Sequence, residues 1–157
     1  MTFADTLDSF ASDLEATQPD LFFAVPRIWA KFQEKIREGL PQKKLNVLLK
    51  VPLLGKVLKN KIRQKLGLSK AKYIVSGAAP LSVDLMNWFK TLDIEILQGY
   101  GMTEDCVISH LNLPTVNKIG SVGRKTHGAQ AKLSPDGEIC VKNDCLMLGY
   151  YKLPEET

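Results

Sequence analysis

Apolar positions recur first at helical spacing: Phe3, Leu7, Phe10, Ala11 and Leu14 share one face, with acids on other positions, until Pro19 and Asp20 break the pattern. Leu21 to Val25 is a short continuous apolar run, the pattern of a strand buried on both faces. Pro26 suits the first turn of a helix whose buried stripe is Ile28, Trp29, Phe32 and Ile36, ended by Gly39 and Pro41. Leu45, Leu48, Leu49, Leu53, Val57, Leu58, Ile62 and Leu66 form the next helical stripe, kinked or split at Pro52 and Gly55. Tyr73 to Val75 predicts a second strand. Ser82 predicts the cap of a helix with Leu85, Phe89 and Leu92 on its inner face. Ile94 to Leu97 predicts a third strand.

Strands separated by helices imply a parallel sheet with helical crossovers. Beyond Pro114 the rhythm changes to short apolar stretches between glycines: 119–122, 129–133, 138–141 and 145–148. Ser134-Pro135-Asp136-Gly137 predicts a hairpin turn. The expected class is α/β. A partial parallel sheet flanked by helices occupies residues 1–115, and part of a small antiparallel barrel occupies 116–157.

No stretch approaches the ~20 apolar residues of a membrane-spanning helix, and the first residues lack the basic-then-apolar pattern of a secretory signal. Cys106, Cys140 and Cys145 show no metal-binding spacing, which points to reduced thiols and a cytoplasmic setting. His110 and His127 also lack ligand spacing and are expected to be structural or solvated. The net charge of +4 is concentrated: residues 43–72 hold ten Lys or Arg and no acid, whereas the remainder holds eleven basic and seventeen acidic residues, a balance of −6. That block admits two readings, the solvated face of a core-packed helix or contact with an anionic membrane surface. Nucleic acid is excluded as a partner because aromatic interleaving is lacking and the rest of the chain is acidic.

Two glycine-containing segments follow predicted parallel strands, the position where open α/β sheets bind ligands. Gly77-Ala78-Ala79 offers minimal side chains against which a flat ligand can lie. In Gly99-Tyr100-Gly101-Met102-Thr103-Glu104, the glycines permit tight geometry, the tyrosine offers a ring face, the threonine a hydroxyl and the glutamate a ligand for a hard cation. The spacing alone fits either a ligand site or ordinary turns of the fold.

Gln98 to Glu104 resembles the G-Y-G-x-T-E motif of the adenylate-forming superfamily. Ser76-Gly77-Ala78-Ala79-Pro80-Leu81 resembles its S-G-[GAS]-A-P-L loop, and Gly120-Ser121-Val122-Gly123-Arg124 its G-S-[VI]-G-[RK] segment. Gly137 to Val141, then Met147 to Lys152 and Pro154 to Thr157, resemble G-E-[IL]-x-[VI]…M-x-G-Y-Y-x-x-P-E-x-T. The four motifs occur in order from Ser76 to Thr157. Pro19 to Trp29 is similar to the long-chain fatty-acyl branch.

The resemblance implies an enzyme that activates a fatty acid with ATP to an acyl-adenylate and passes the acyl group to coenzyme A. By that likeness Gly77, Ala78 and Ala79 would line one side of the adenine and Tyr100 would stack on the other. Gln98, Gly99 and Gly101 would border the nucleotide and the reacting carboxylate, Thr103 would bond the α-phosphate, and Glu104 would hold Mg²⁺. Thr103 and Glu104 are the expected catalytic groups. Arg124 is expected to be structural, and Gly149-Tyr150-Tyr151 to serve packing and chain direction. The superfamily's Pro-Lys-Gly phosphate loop, its Thr-Gly-Asp ribose segment and its C-terminal domain with the catalytic lysine are not in this sequence, so the expectation is a chain inactive on its own. The rival expectation is a catalytically dead binding module that docks on a membrane or a protein through residues 43–72.

Overall fold

The computed structural model describes residues 9–107 and 109–157. It divides into two compact units, residues 1–96 and 97–157.

The first unit opens with α1 (Phe10–Thr17), which buries Leu14 and ends where Gln18 turns left-handed, with φ of 47°. The Gln18 side chain donates to the Gln64 carbonyl at 2.8 Å and accepts from the Ser69 amide at 3.0 Å, tying the end of α1 to a later turn. Phe3 and Leu7, the start of that helical pattern, lie outside the described residues.

β1 (Leu21–Ala24) pairs in parallel with β2 (Tyr73–Ser76), Leu21 opposite Tyr73 and Ala24 opposite Ser76. The expectation of burial on both faces does not hold for β1. Phe22 and Ala24 are buried, whereas Leu21 and Phe23 are 59% and 51% exposed. Side chains alternate across a strand, and the helical layer that covers one face consists of α2 (Pro26–Gly39) and α5 (Val83–Lys90). Pro26 sits in the first turn of α2, where its missing N–H costs nothing.

The core of this unit is aromatic. Trp29 is fully buried, with ring centroids 5.5 Å from Phe22, 5.9 Å from Phe32 and 5.3 Å from Phe89, all near edge-to-face. Its indole N–H donates to the Ala24 carbonyl at 3.3 Å, which fixes the helix against the strand.

The long apolar stripe splits at Pro52, giving α3 (Gln42–Lys50) and α4 (Pro52–Lys65). Leu45 and Ile62 are buried as expected, but Leu53 and Val57 stand in solvent. Trp88 donates to Gln42 at 2.7 Å, linking α5 to α3. Lys59 pairs with Asp93 at 3.0 Å and Lys72 with Asp20 at 2.9 Å.

In the second unit β3 (Leu97–Tyr100) runs antiparallel to β4 (His110–Leu111), and β4 antiparallel to β5 (Arg124–Lys125). The third strand therefore begins three residues later than the pattern predicts. Ile94 and Ile96 are buried outside any strand, their apolar character used in packing while the ladder starts at Leu97. β6 (Gln130–Leu133) and β7 (Ile139–Lys142) form a hairpin across the predicted turn. Gly137 takes φ of 87° there, and its N–H donates to the Ser134 carbonyl at 3.0 Å. No barrel forms among the described residues of this unit: β6-β7 is a two-stranded sheet separate from β3-β4-β5. The short apolar stretches 119–122 and 145–148 lie in turns and irregular chain.

Candidate functional site

The predicted residues fall in two places. Gly77, Ala78 and Ala79 follow the carboxyl end of β2 in the first unit. Gly77 is buried, while Ala78 and Ala79 are exposed. Ala78 has φ of 67°, a left-handed conformation that an L-residue adopts at some cost. Just before it the Ser76 hydroxyl is fully buried and has no hydrogen-bond partner. A strained residue and an unsatisfied polar atom thus flank Gly77 at the end of a parallel strand.

Gln98, Gly99, Tyr100, Gly101, Thr103 and Glu104 lie together in the second unit. Gly99 and Tyr100 are the end of β3 itself and not a loop after it. The chain leaves the strand at Gly101 and enters a 3-10 turn over Thr103–Asp105. Asp105, fully buried, holds that turn. Its Oδ1 accepts from the backbone N–H groups of Met102 and Val107, each at 2.9 Å. Its Oδ2 is buried without a partner. Cys106 and Val107 follow with φ of 56° and 62°, rare for a β-branched residue. The chain folds back so closely that a side-chain carbon on residue 101 would collide with the Val107 backbone, so only glycine fits.

Within this turn Thr103 is exposed and Glu104 is half-buried. A Glu104 carboxylate oxygen accepts the Tyr150 hydroxyl at 2.7 Å, and the Glu104 carbonyl accepts the Met147 N–H at 2.8 Å. The Tyr150 hydroxyl, together with a backbone hydrogen bond, lowers the Glu104 pKa below the ordinary carboxylate value. The same bond raises that of Tyr150, whose proton is held by the carboxylate. Glu104 is therefore an anion at neutral pH. Mg²⁺ is satisfied by one or two carboxylates when a nucleotide's phosphates supply further oxygens. Glu104 could supply one such carboxylate. No group of three or more His, Cys, Asp or Glu side chains able to hold a metal occurs among the described residues, so an ion here would be shared with a ligand. The Tyr100 ring lies 6.0 Å from that of His110, tilted by 58°.

Three organising residues escaped the sequence reading. Asp105 sits three positions after Met102, the residue that precedes the turn, the spacing at which an acid reaches back to cap, and this was a usable signal. Tyr150, assigned to packing, instead bonds Glu104. Asn112 is fully buried and binds three separate segments. Its Nδ2 donates to the carbonyls of Gln98 at 3.3 Å and Ser121 at 2.5 Å, and its Oδ1 accepts from the Lys118 N–H at 3.0 Å. It fixes the Gly120–Arg124 motif against β3.

Comparison with known proteins adds the following. A family model described as AMP-binding enzyme matches residues 1–151. The chain is 29% identical to the long-chain-fatty-acid–CoA ligase ACSBG2 of Xenopus laevis, across 95% of this chain and 24% of that protein. It is 30% identical to the peroxisomal long chain acyl-CoA synthetase 6 of Arabidopsis thaliana, across 89% of this chain and 24% of the other. Among solved structures, the inhibitor-bound N-terminal domain of FACL13 from Mycobacterium tuberculosis superposes with a TM-score of 0.58 at 25% identity, covering 96% of this chain and 34% of that one. The chain thus spans about a quarter of the length of these two relatives.

Proposed function

This chain belongs to the AMP-binding enzyme family, and we propose that it forms part of an ATP-dependent fatty-acid–CoA ligase. In that enzyme a fatty-acid carboxylate attacks the α-phosphorus of ATP, pyrophosphate leaves, and the thiol of coenzyme A then displaces AMP from the acyl-adenylate. The observation that carries the reading is the Gly99–Asp105 turn. A buried aspartate clamps it, a glycine is required by close backbone approach, and an ionised glutamate is held beside an exposed threonine hydroxyl.

Each residue has a distinct part. Gln98 and Gly99, with Gly101, border the nucleotide and the reacting carboxylate. Tyr100 supplies a ring face for the base, and for Gly77, Ala78 and Ala79 in their own turn the family likeness supports a nucleotide-binding role. Thr103 donates to the α-phosphate. Glu104 holds Mg²⁺, which would neutralise charge on the phosphates when bound. Phosphoryl and adenylyl transfer depend on positioning and charge neutralisation more than on covalent help from the protein. The left-handed Ala78 supports a ligand role for its turn, since strain of this kind concentrates at binding sites. The long-chain substrate is supported by the names of the relatives and by the likeness of Pro19 to Trp29. These 157 residues contribute contacts and not a complete reaction, so the chain alone is expected to form no acyl-CoA.

The test is titration of Mg-ATP and AMP into the chain, followed by calorimetry and by amide NMR. Binding should move the amides of 77–79 and 98–104. The double variant Tyr100→Ala, Glu104→Ala should lose at least tenfold in affinity, about 1.4 kcal/mol. Saturable binding that leaves both segments unmoved, and is equal in the double variant, would overturn these assignments.

A further inference from the structure

The three cysteines are free thiols, Cys106 and Cys145 exposed and Cys140 half-buried. Two of them meet. Cys106 ends the Thr103–Asp105 turn with φ of 56°, and its thiol donates to the Cys145 carbonyl at 3.2 Å across 39 positions. Two residues earlier, the Glu104 carbonyl accepts the Met147 N–H at 2.8 Å. The contacts pair 104 with 147 and 106 with 145, so the two segments run in opposite directions with the cysteines opposite one another. A carbonyl oxygen lies about 2.4 Å from its own Cα, which puts the Cys106 sulfur within about 6 Å of the Cys145 Cα. Cα atoms joined by a disulfide stand about 4.4–6.8 Å apart. Rotation of the two side chains, with a small shift of the exposed, irregular segment 144–148, brings the sulfurs to bonding distance. Cys140 stands elsewhere, on β7 opposite Lys132.

Packing does not account for the pair, since both residues stand in solvent and a thiol is a weak donor. Two exposed thiols held this close are the arrangement in which one, once it has reacted, is resolved by the other. We propose that Cys106 and Cys145 form a reversible disulfide under an oxidant of the disulfide class, clamping the Thr103–Asp105 turn to residues 143–147. One cysteine sulfur attacks the S–S bond of the oxidant and releases one thiol. The second cysteine sulfur then attacks the mixed disulfide and releases the other. Both cysteine protons end on the two released thiols, and the two electrons lost in making the new S–S bond reduce the oxidant. The link spans the junction that the Glu104–Met147 and Glu104–Tyr150 hydrogen bonds already hold. Oxidation therefore suppresses opening of the turn, and reduction restores it. The inference does not depend on the nucleotide reading.

The experiment is incubation of the whole chain with oxidised glutathione, folded and in urea, followed by digestion and mass spectrometry of the linked peptides. Loop closure favours short loops by the three-halves power of length, so the unfolded chain should prefer Cys140–Cys145 over Cys106–Cys145 by about 20-fold. The folded chain should reverse that preference, linking Cys106 to Cys145 at least about tenfold in excess of any other pairing, and reduced glutathione should undo the link. Amide exchange at Met147 should slow by at least about tenfold in the oxidised chain. Cys140→Ser should behave as the parent, whereas Cys106→Ser and Cys145→Ser should each lose at least about tenfold in linked yield. Both of those positions are exposed, and unchanged exchange at the Thr126 N–H, which bonds the Ser109 carbonyl, verifies that the second unit is folded. The proposal is overturned if the folded chain gives the pairing seen in urea, or if Cys106 and Cys145 each keep a glutathione and no link forms. It is equally overturned if the link joins two chains, or if Met147 exchange is unmoved by it.

Discussion

Replacing Asn112 with alanine removes the side chain that joins Gln98 near the start of β3, the turn before Gly120 and the carbonyl of Ser121. Two donated bonds and one accepted bond disappear, while the bond from the Asn112 backbone N–H to the Gln98 carbonyl at 3.0 Å remains. At about 1 kcal/mol per neutral hydrogen bond, with an added cost for carbonyls left buried, the loss is about 2–4 kcal/mol. Asn112→Asp should be no better, because it keeps the acceptor for Lys118 but turns a second oxygen toward two carbonyls. Both tryptophans lie in the first unit, so their fluorescence is the wrong probe. Amide hydrogen exchange in the second unit is the right one, read at the Asn112 and Thr126 N–H groups, which bond the Gln98 and Ser109 carbonyls. Exchange there should quicken by about 30- to 1,000-fold, the factor that 2–4 kcal/mol implies for opening. A change below about threefold would mean that Asn112 is not what holds the segment, and the reasoning would fail.

Two further outcomes follow from single contacts. Tyr150→Phe should raise the Glu104 pKa toward the ordinary carboxylate value. In the parent, the stabilisation from a depressed carboxylate is present above its unfolded pKa and lost as pH falls through the folded one, so the variant should show a weaker acid dependence. Carboxyl-carbon NMR titration of Glu104 reads the midpoint directly, and an unmoved midpoint refutes the bond's role. Trp29→Ala should cost about 3–5 kcal/mol by leaving a cavity among Phe22, Phe32 and Phe89. Urea unfolding followed by the fluorescence of Trp88, whose ring lies 4.9 Å from Phe89, tests this, and a loss under about 1 kcal/mol would contradict the assignment of the core.

Helices read well from the sequence because each carries its period and its boundary within a few residues. Pro26, Gly39 and Pro52 bound α2 and α4 where the pattern places them. Strands read less well. A four- or five-residue apolar run fixes neither the faces that are covered nor where the ladder begins, since both depend on partners distant in sequence. Leu21 to Val25 looked buried on both sides and is covered on one. Ile94 to Leu97 looked like the strand itself, but its apolar residues pack ahead of a ladder set by the antiparallel partners His110 and Leu111. The stripe from Leu45 to Leu66 is periodic throughout, yet hydrophobic periodicity does not distinguish a side chain facing a core from one facing outward, and Leu53 and Val57 are exposed.

The site divides along the same line. Glycine, tyrosine, threonine and glutamate at fixed short spacing are visible in one stretch, which the structure runs from β3 into the Thr103–Asp105 turn. The contacts that shape that stretch are not visible there. Glu104 meets Tyr150 across 46 positions, and Asn112 reaches back to Gln98 across 14. The first follows from how the irregular chain after β7 returns to the turn and the second from how the chain after β4 returns to β3, which no local period encodes. Asp105 is the instructive exception. Its contacts span only two and three residues, so a cap at the third position of the turn could have been read from the sequence. The motif residues are thus local in sequence, whereas the charge state of Glu104 and the anchoring of β3 come from residues outside the motif, and substitutions at Tyr150 and Asn112 separate the two.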